Sequence, residues 1–220
     1  MIVTIKQTQA KGALHFDVFY DNRPKFRGRL GRFFKFETIS MRDQIHRITV
    51  TGAFALPKFV DILPFKQLLG KPRMVRNCYC QSNGARIGTI GCVAEGHGRA
   101  HHHITDLLGR VFDVYHIVQD GYEYLCIYSE GGEQVAIVES NLALKNSCNH
   151  YELYITGTYE DYADLFSLFV IYFDNWYNTD RVWAKSVTVA NEKHAIAYLD
   201  KFDPEWRARN FPVDEDEDSE

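Results

Sequence analysis

The sequence predicts a mainly β (α+β) fold: an antiparallel β-barrel or closed sheet around a central hydrophobic helix, with a short C-terminal helical extension. Three observations predict it. Strand-like segments recur at short intervals between turn signals, which favours barrels and sandwiches over alternating β-α units. One later segment, residues 165–173, is apolar on every side and leaves no face for water. The composition, 45% hydrophobic and 25% charged over 220 residues, supplies one large core and falls within the range that barrels reach as a single unit.

The first strand is read at Leu14-His15-Phe16-Asp17-Val18-Phe19-Tyr20, followed by a turn at Asp21-Asn22-Arg23-Pro24 and a second strand from Lys25, together an opening hairpin. Residues 33–39 and 44–51 continue the strand pattern. Pro57, Pro64, Gly70 and Pro72 punctuate residues 52–73, a long connection with room for a short helix at 58–69. Strand signals resume at 74–80, 85–93, 110–118, 121–128, 133–140 and 151–156, with turns at Asn83-Gly84, Asp120-Gly121 and Gly131-Gly132. Asp120-Gly121 is the clearest hairpin turn.

The pattern then changes. Thr158 has the chemistry of an N-cap, and Glu160, Asp161 and Asp164 put negative charge where a helix dipole favours it. A helix over 160–173 must be enclosed; a strand over 165–173 is the alternative, from its β-branched and aromatic content. A strand candidate at 182–189 follows, then a helix capped by Asn191 with Ala195, Ile196, Tyr198 and Leu199 as its apolar stripe. Asp203-Pro204 starts a short turn with proline at the first helical position. The expected organisation is one domain over 1–190 with its helix at about 159–175, an extension over 191–212, and a disordered acidic tail over 213–220.

The start of the chain lacks a charged segment followed by an apolar one, and no run reaches the roughly 18 apolar residues of a membrane span, so a cytoplasmic protein is expected. Five cysteines, an odd number in a chain too long to need staples, argue for reduced thiols, with Cys126 and Cys148 in the core. Charge divides along the chain. Residues 1–110 hold 18 Lys+Arg against 7 Asp+Glu, or +11, while residues 111–220 hold 7 against 22, or −15. This calls either for an anionic partner to the first half or for neutralisation of one half by the other.

The densest charge is Arg23-Pro24-Lys25-Phe26-Arg27-Gly28-Arg29-Leu30-Gly31-Arg32. On a strand, Arg23, Lys25, Arg27 and Arg29 share one face and, with Arg32, form the candidate anion-binding row. The competing readings are a solvated edge strand and a partner for the acidic half. Phe26, Phe33, Phe34 and Phe36 interleave with the cations as a base-stacking surface would, but Phe26 falls on the opposite face, and an acidic protein is a poor nucleic-acid binder.

His97, His101 and His103 are candidate metal ligands, with Cys78, Cys80 or Cys92 to complete a site. Cys78-x-Cys80 lacks zinc-knuckle spacing, however, and strand alternation would turn His102 away from His101 and His103. A polar loop entering a strand is the preferred reading there, with no metal and no cofactor. Cys148 and His150 could pair for nucleophilic catalysis, but the chain has no Gly-x-Ser-x-Gly elbow, phosphate-binding Gly-Lys loop or His-Glu-x-x-His.

The hairpin Tyr122-Glu123-Tyr124-Leu125-Cys126-Ile127-Tyr128, the turn Gly131-Gly132, the strand Gln134-Val135-Ala136-Ile137-Val138, the strand over 151–156 and the apolar helix over 160–173 resemble the tubby C-terminal-like superfamily. That superfamily includes the phospholipid scramblases and the plant LURP-one-related proteins. The resemblance covers about residues 110–175 and extends less closely to 14–51 and 74–93. It implies a strand barrel enclosing a hydrophobic helix, and binding to membrane lipid head groups or a structural role, with no shared catalytic set. The expected function is therefore a non-catalytic binding or structural domain for anionic lipid head groups or phosphate-bearing ligands. The alternatives are an intracellular protein-interaction domain and a hydrolase or metal enzyme with a dispersed site.

Overall fold

Mainly β structure follows from residues that alternate between two environments. In the computed structural model, which describes residues 1–9, 14–31, 38–43, 47–51, 73–82, 85–96, 99–142, 148–178 and 196–212, these residues form antiparallel strands. The first six are β1 (Ile2–Gln9), β2 (Leu14–Tyr20), β3 (Arg23–Gly31), β4 (Thr38–Asp43), β5 (Arg47–Thr51) and β6 (Arg73–Ser82). The next six are β7 (Ala85–Gly96), β8 (Arg99–Asp106), β9 (Val111–Gln119), β10 (Tyr122–Ser129), β11 (Gln134–Asn141) and β12 (His150–Ile155). Each pairs with the next along the chain, and β1 also pairs with β12, Ile5 lying opposite Tyr151.

The strand at 14–20 falls where expected. Its turn is tighter than expected: Asp21 and Asn22 alone make it, both at positive φ (45° and 63°), so Arg23 and Pro24 already belong to β3. Asp120 and Gly121 turn in the same way, at φ 52° and 81°. Strand β1 has no counterpart in the sequence reading. In the stretch over 96–103, expected to be a polar loop entering a strand, the strand β8 begins at Arg99. Most of the strand expected at 33–39, the helix at 58–69, the strand at 182–189, Asn191, Ala195 and the acidic tail lie outside the described residues.

The apolar segment is helical. A 3-10 turn over Gly157–Tyr162 leads into α1 (Ala163–Asn178), and residues 165–174 are all buried. Thr158 is not the cap: it is exposed inside the 3-10 turn, and Thr156 at the cap position makes no side-chain cap hydrogen bond. Tertiary anchors hold the helix start instead. The Thr156 amide and hydroxyl both donate to the Val135 carbonyl at 3.1 Å, and the Met1 ammonium meets Glu160 at 2.8 Å. Phe166, Phe169 and Phe173 pack in one cluster with Phe16, Val18, Phe26, Phe112, Val114, Leu125 and Leu153 from the strands.

A second, smaller cluster lies on the opposite face of the sheet. Ile117, Cys126, Ile137 and Tyr154 from β9–β12 pack with Tyr198 and Trp206 of the C-terminal segment, which forms a 3-10 helix (Ile196–Lys201) and α2 (Trp206–Asn210). With both faces covered, β11 is buried continuously over 134–138. The apolar stripe expected over 195–199 is only half right. Tyr198 is buried but Leu199 is 45% exposed, because the segment is a kinked 3-10 turn rather than an α-helix. Pro204 lies in the turn before α2, whose first residue is Trp206; there the Asp203 carboxylate accepts from the Glu205 amide at 3.1 Å. Cys126 is a core residue as expected, whereas Cys148 is only half-buried.

Candidate anion-binding surface

Alternation along β3 is interrupted by a register shift: Phe26 pairs with Val18 but Pro24 with Phe19, so Lys25 stands at the irregularity, Arg23 opposite Tyr20 and Arg27 opposite Asp17. Arg23, Lys25 and Arg27 are exposed, while Phe26 between them is buried in the core. From Phe26 onward β3 is flanked by both β2 and β4, so Arg27 is not an edge position. Arg27 is 74% exposed, and its Nε donates to Asp17 on β2 at 2.7 Å. Lys25 sits over the Tyr20 ring, 5.6 Å from its centroid. Both of these neighbours come from the basic half of the chain. Arg29 occupies the register position between His15 and Ser40, and Arg32 lies outside the described residues.

The register adds a second direction to the row that the sequence reading missed. Arg27 is the cross-strand partner of Arg42 on β4, and Arg42 that of Arg47 on β5. Directly paired positions share a face of a sheet. On the other side, Asp17 stands opposite Arg27 and also opposite Lys6 of β1. Cationic positions therefore run both along β3 and across β1–β5, with one acidic position among them. Like charges at paired positions repel unless a counter-anion lies between them.

The histidines separate as strand alternation requires. His102 is buried against the rings of Phe169, Tyr172 and Phe173, with centroids 5.5–6.3 Å away. His101 faces the other way, its Nε2 3.5 Å from Asp113 Oδ1 and its ring 5.3 Å from that of Tyr115. His103 is half-buried; burial pushes its imidazole pKa down, and nearby Asp113 opposes that shift. His97 lies outside the described residues. Among the described residues no three His, Cys, Asp or Glu side chains converge as a metal site would require.

Cys148 and His150 line one open groove of about 740 Å³, whose walls also carry Lys6, Arg207, Glu139 and Glu152. Its charge is mixed, unlike that of the β3 face. Burial pushes the Glu139 carboxyl above its ordinary range, and Arg207, 2.7 Å away, pulls it back. Behind the groove, the buried Asp174 carboxylate accepts from the Tyr151 hydroxyl at 2.5 Å and from the side chains of Asn149 and Gln7. At the other end of α1, Tyr20 donates to Asp164. Burial, and then that carboxylate, push the Tyr20 hydroxyl pKa far up, so it stays a donor. The helix is thus pinned at both ends by carboxylates that accept from strand side chains.

The fold and this surface define a mainly β protein with an exposed cationic strand. No family model, curated protein or solved structure matches the chain. Among the described residues no helix is long and apolar enough to cross a membrane.

Proposed function

We propose that this chain is a non-catalytic binding module of the tubby-like type, an antiparallel barrel closed on a central hydrophobic helix, which holds phosphate-bearing anions on the outer face of β3. The observation that carries the reading is the exposure of Arg23, Lys25 and Arg27 on β3, with Arg42 and Arg47 continuing across the sheet from the register position of Arg27. Guanidinium groups in a row match phosphate oxygens in geometry and charge. The pairing of β1 with β12 and the burial of residues 165–174 support the barrel-and-helix part.

The test is Arg27→Gln/Arg29→Gln with tripolyphosphate as the soluble probe. Binding should fall about tenfold or more and weaken with salt, while the Tm hardly moves, because exposed charges contribute only about 0–1 kcal/mol per pair. Unchanged tripolyphosphate binding, or a salt-dependent loss of Tm without a binding defect, would instead make the row an internal counterweight to the acidic half.

A further inference from the structure

The groove of about 740 Å³ is built by strand register on the outer face of β10, β11, β12 and β1. Tyr122 on β10 stands opposite Asn141 on β11, and Glu139 on β11 opposite Glu152 on β12. Cys126, Ile137 and Tyr154 belong to the outer cluster, and steps of two residues from them lead to Tyr122, Glu139, Asn141 and Glu152 on that same face. Lys6 joins them from β1, exposed between buried Ile5 and Gln7. Arg207 comes in from α2: its Nη1 donates to Glu139 Oε2 at 2.7 Å, and its guanidinium lies 4.6 Å from the centroid of the Tyr154 ring.

The wall chemistry is unusual for a cavity of this size. Small-molecule sites are lined mainly by apolar side chains. Among the described residues lining this one there is no Ala, Val, Leu, Ile, Met or Pro, and every side chain except that of Cys148 is a strong hydrogen-bonding group. The charges balance, Lys6 and Arg207 against Glu139 and Glu152, so the wall selects neither a polyanion nor a polycation. Glu152 is held in place, its Oε2 accepting from the Tyr154 hydroxyl at 2.5 Å. A carboxylate offers about four acceptor sites, so that bond leaves capacity for a ligand. Tyr122 adds one flat apolar surface: it is 43% exposed, more than any other Tyr, Phe or Trp among the described side chains. Its ring is steadied by Tyr124, 6.2 Å away, and the Tyr124 ring lies 4.5 Å from that of Phe202.

We propose that this groove binds a neutral carbohydrate, the Tyr122 ring stacking on the C–H face of one sugar while Asn141, Glu139 and Glu152 bond its hydroxyls. A pyranose ring has an apolar C–H face and a rim of hydroxyls that both donate and accept. Planar polar groups beside a single exposed ring match both features. An extended peptide fits less well. Its backbone amides are satisfied by pairing along an open strand edge, but β10, β11, β12 and β1 each pair with the next, so the groove offers side chains in place of a free edge. Arg23, Lys25 and Arg27 are not among the residues lining the groove, so this site stands apart from the anion-binding reading of β3.

Saturation-transfer NMR of the full chain with maltotetraose, cellotetraose, mannotetraose and chitotetraose tests it, with tetraglycine as the peptide probe. At least one of the sugars should bind saturably. Tyr122→Ala should weaken that binding about tenfold or more while keeping a cooperative melt. Tyr122→Phe should preserve it, because the ring and not the hydroxyl does the stacking. Glu152→Gln, which keeps an acceptor for Tyr154 but removes the charge, should weaken it as well. Absence of binding to every one of these sugars would overturn the proposal. So would equal binding by Tyr122→Ala, or binding of tetraglycine in place of the sugars.

Discussion

The two faces of the β9–β12 sheet are both buried, but by different means. The face toward α1 is covered by that helix, which is tied to the strands near both ends through Asp164 and Asp174. The opposite face is closed by a chain segment laid across it, through Tyr198 and Trp206 and a few polar anchors. These anchors are Trp206 Nε1 to the Gln134 carbonyl at 3.1 Å, the Tyr128 hydroxyl to the Lys201 carbonyl at 2.9 Å, and the Arg207–Glu139 pair. The first burial involves the larger of the two core clusters. The second completes a sheet whose other side is already fixed, so the same kind of substitution should have very different consequences on the two sides.

The largest effect is expected from Phe169→Asp. Phe169 is fully buried, and an isolated charge there costs several kcal/mol or more. The variant should fail to fold, seen as insolubility or loss of the native circular-dichroism spectrum; a soluble, cooperatively melting protein would show that the helix is not essential to the core. Next is Asp174→Ala, which leaves the Tyr151 hydroxyl and the Asn149 and Gln7 amides without that acceptor. A loss of about 3 kcal/mol is expected in denaturant melts.

Trp206→Ala probes the other face. A buried tryptophan lost to alanine costs about 3 kcal/mol where the element stays in place, but here the segment should lift away first. The cost to global unfolding should then be smaller than for Asp174→Ala, and Cys126, buried beneath, should become reactive to a thiol reagent before the protein unfolds. Equal losses at Trp206 and Asp174, with Cys126 protected until global unfolding, would mean that the two faces form one cooperative unit.

The smallest effect concerns the turn at Asp106. Burial alone would raise this carboxyl, but hydrogen bonds from the Arg110 backbone and side chain, the Tyr162 hydroxyl and the Leu108 amide outweigh it and hold the pKa below the ordinary range. A depressed pKa stabilises the native state above the unfolded value of about 3.9. The contribution is lost as pH falls through the lower folded value. In acid melts, Asp106→Asn should therefore be less stable than the wild type at neutral pH and converge on it as the pH falls below about 4. A gap that persists into acid would rule out the carboxylate charge as its source.

Much of this architecture is legible in single segments. Asp120-Gly121 announces its hairpin because few residue pairs accept positive φ twice in succession. Residues 165–173 announce burial because no face of them suits water, and Phe26 announces the interior side of β3 by falling between cations. Local patterns failed where the deciding partner is distant in the chain. Strand β1 turns polar after Ile5, and its pairing with β2 and β12 gives it its place. The start of α1 is set by Val135 and Met1 rather than by Thr158. The β8–β9 turn is likewise braced from a distance, by the Tyr162 hydroxyl donating to Asp106.

The sequence by itself determined the β class, the apolar helix and the contrast on β3 between buried Phe26 and exposed Arg27, because each depends on the pattern of side chains within one segment. Only the tertiary structure decided that β3 has neighbours on both sides from Phe26 onward, and that Arg42 and Arg47 continue its row across the sheet. The physical reason is that strand pairing is non-local: which residues stand opposite one another depends on register and on partner strands, and short-range periodicity carries neither.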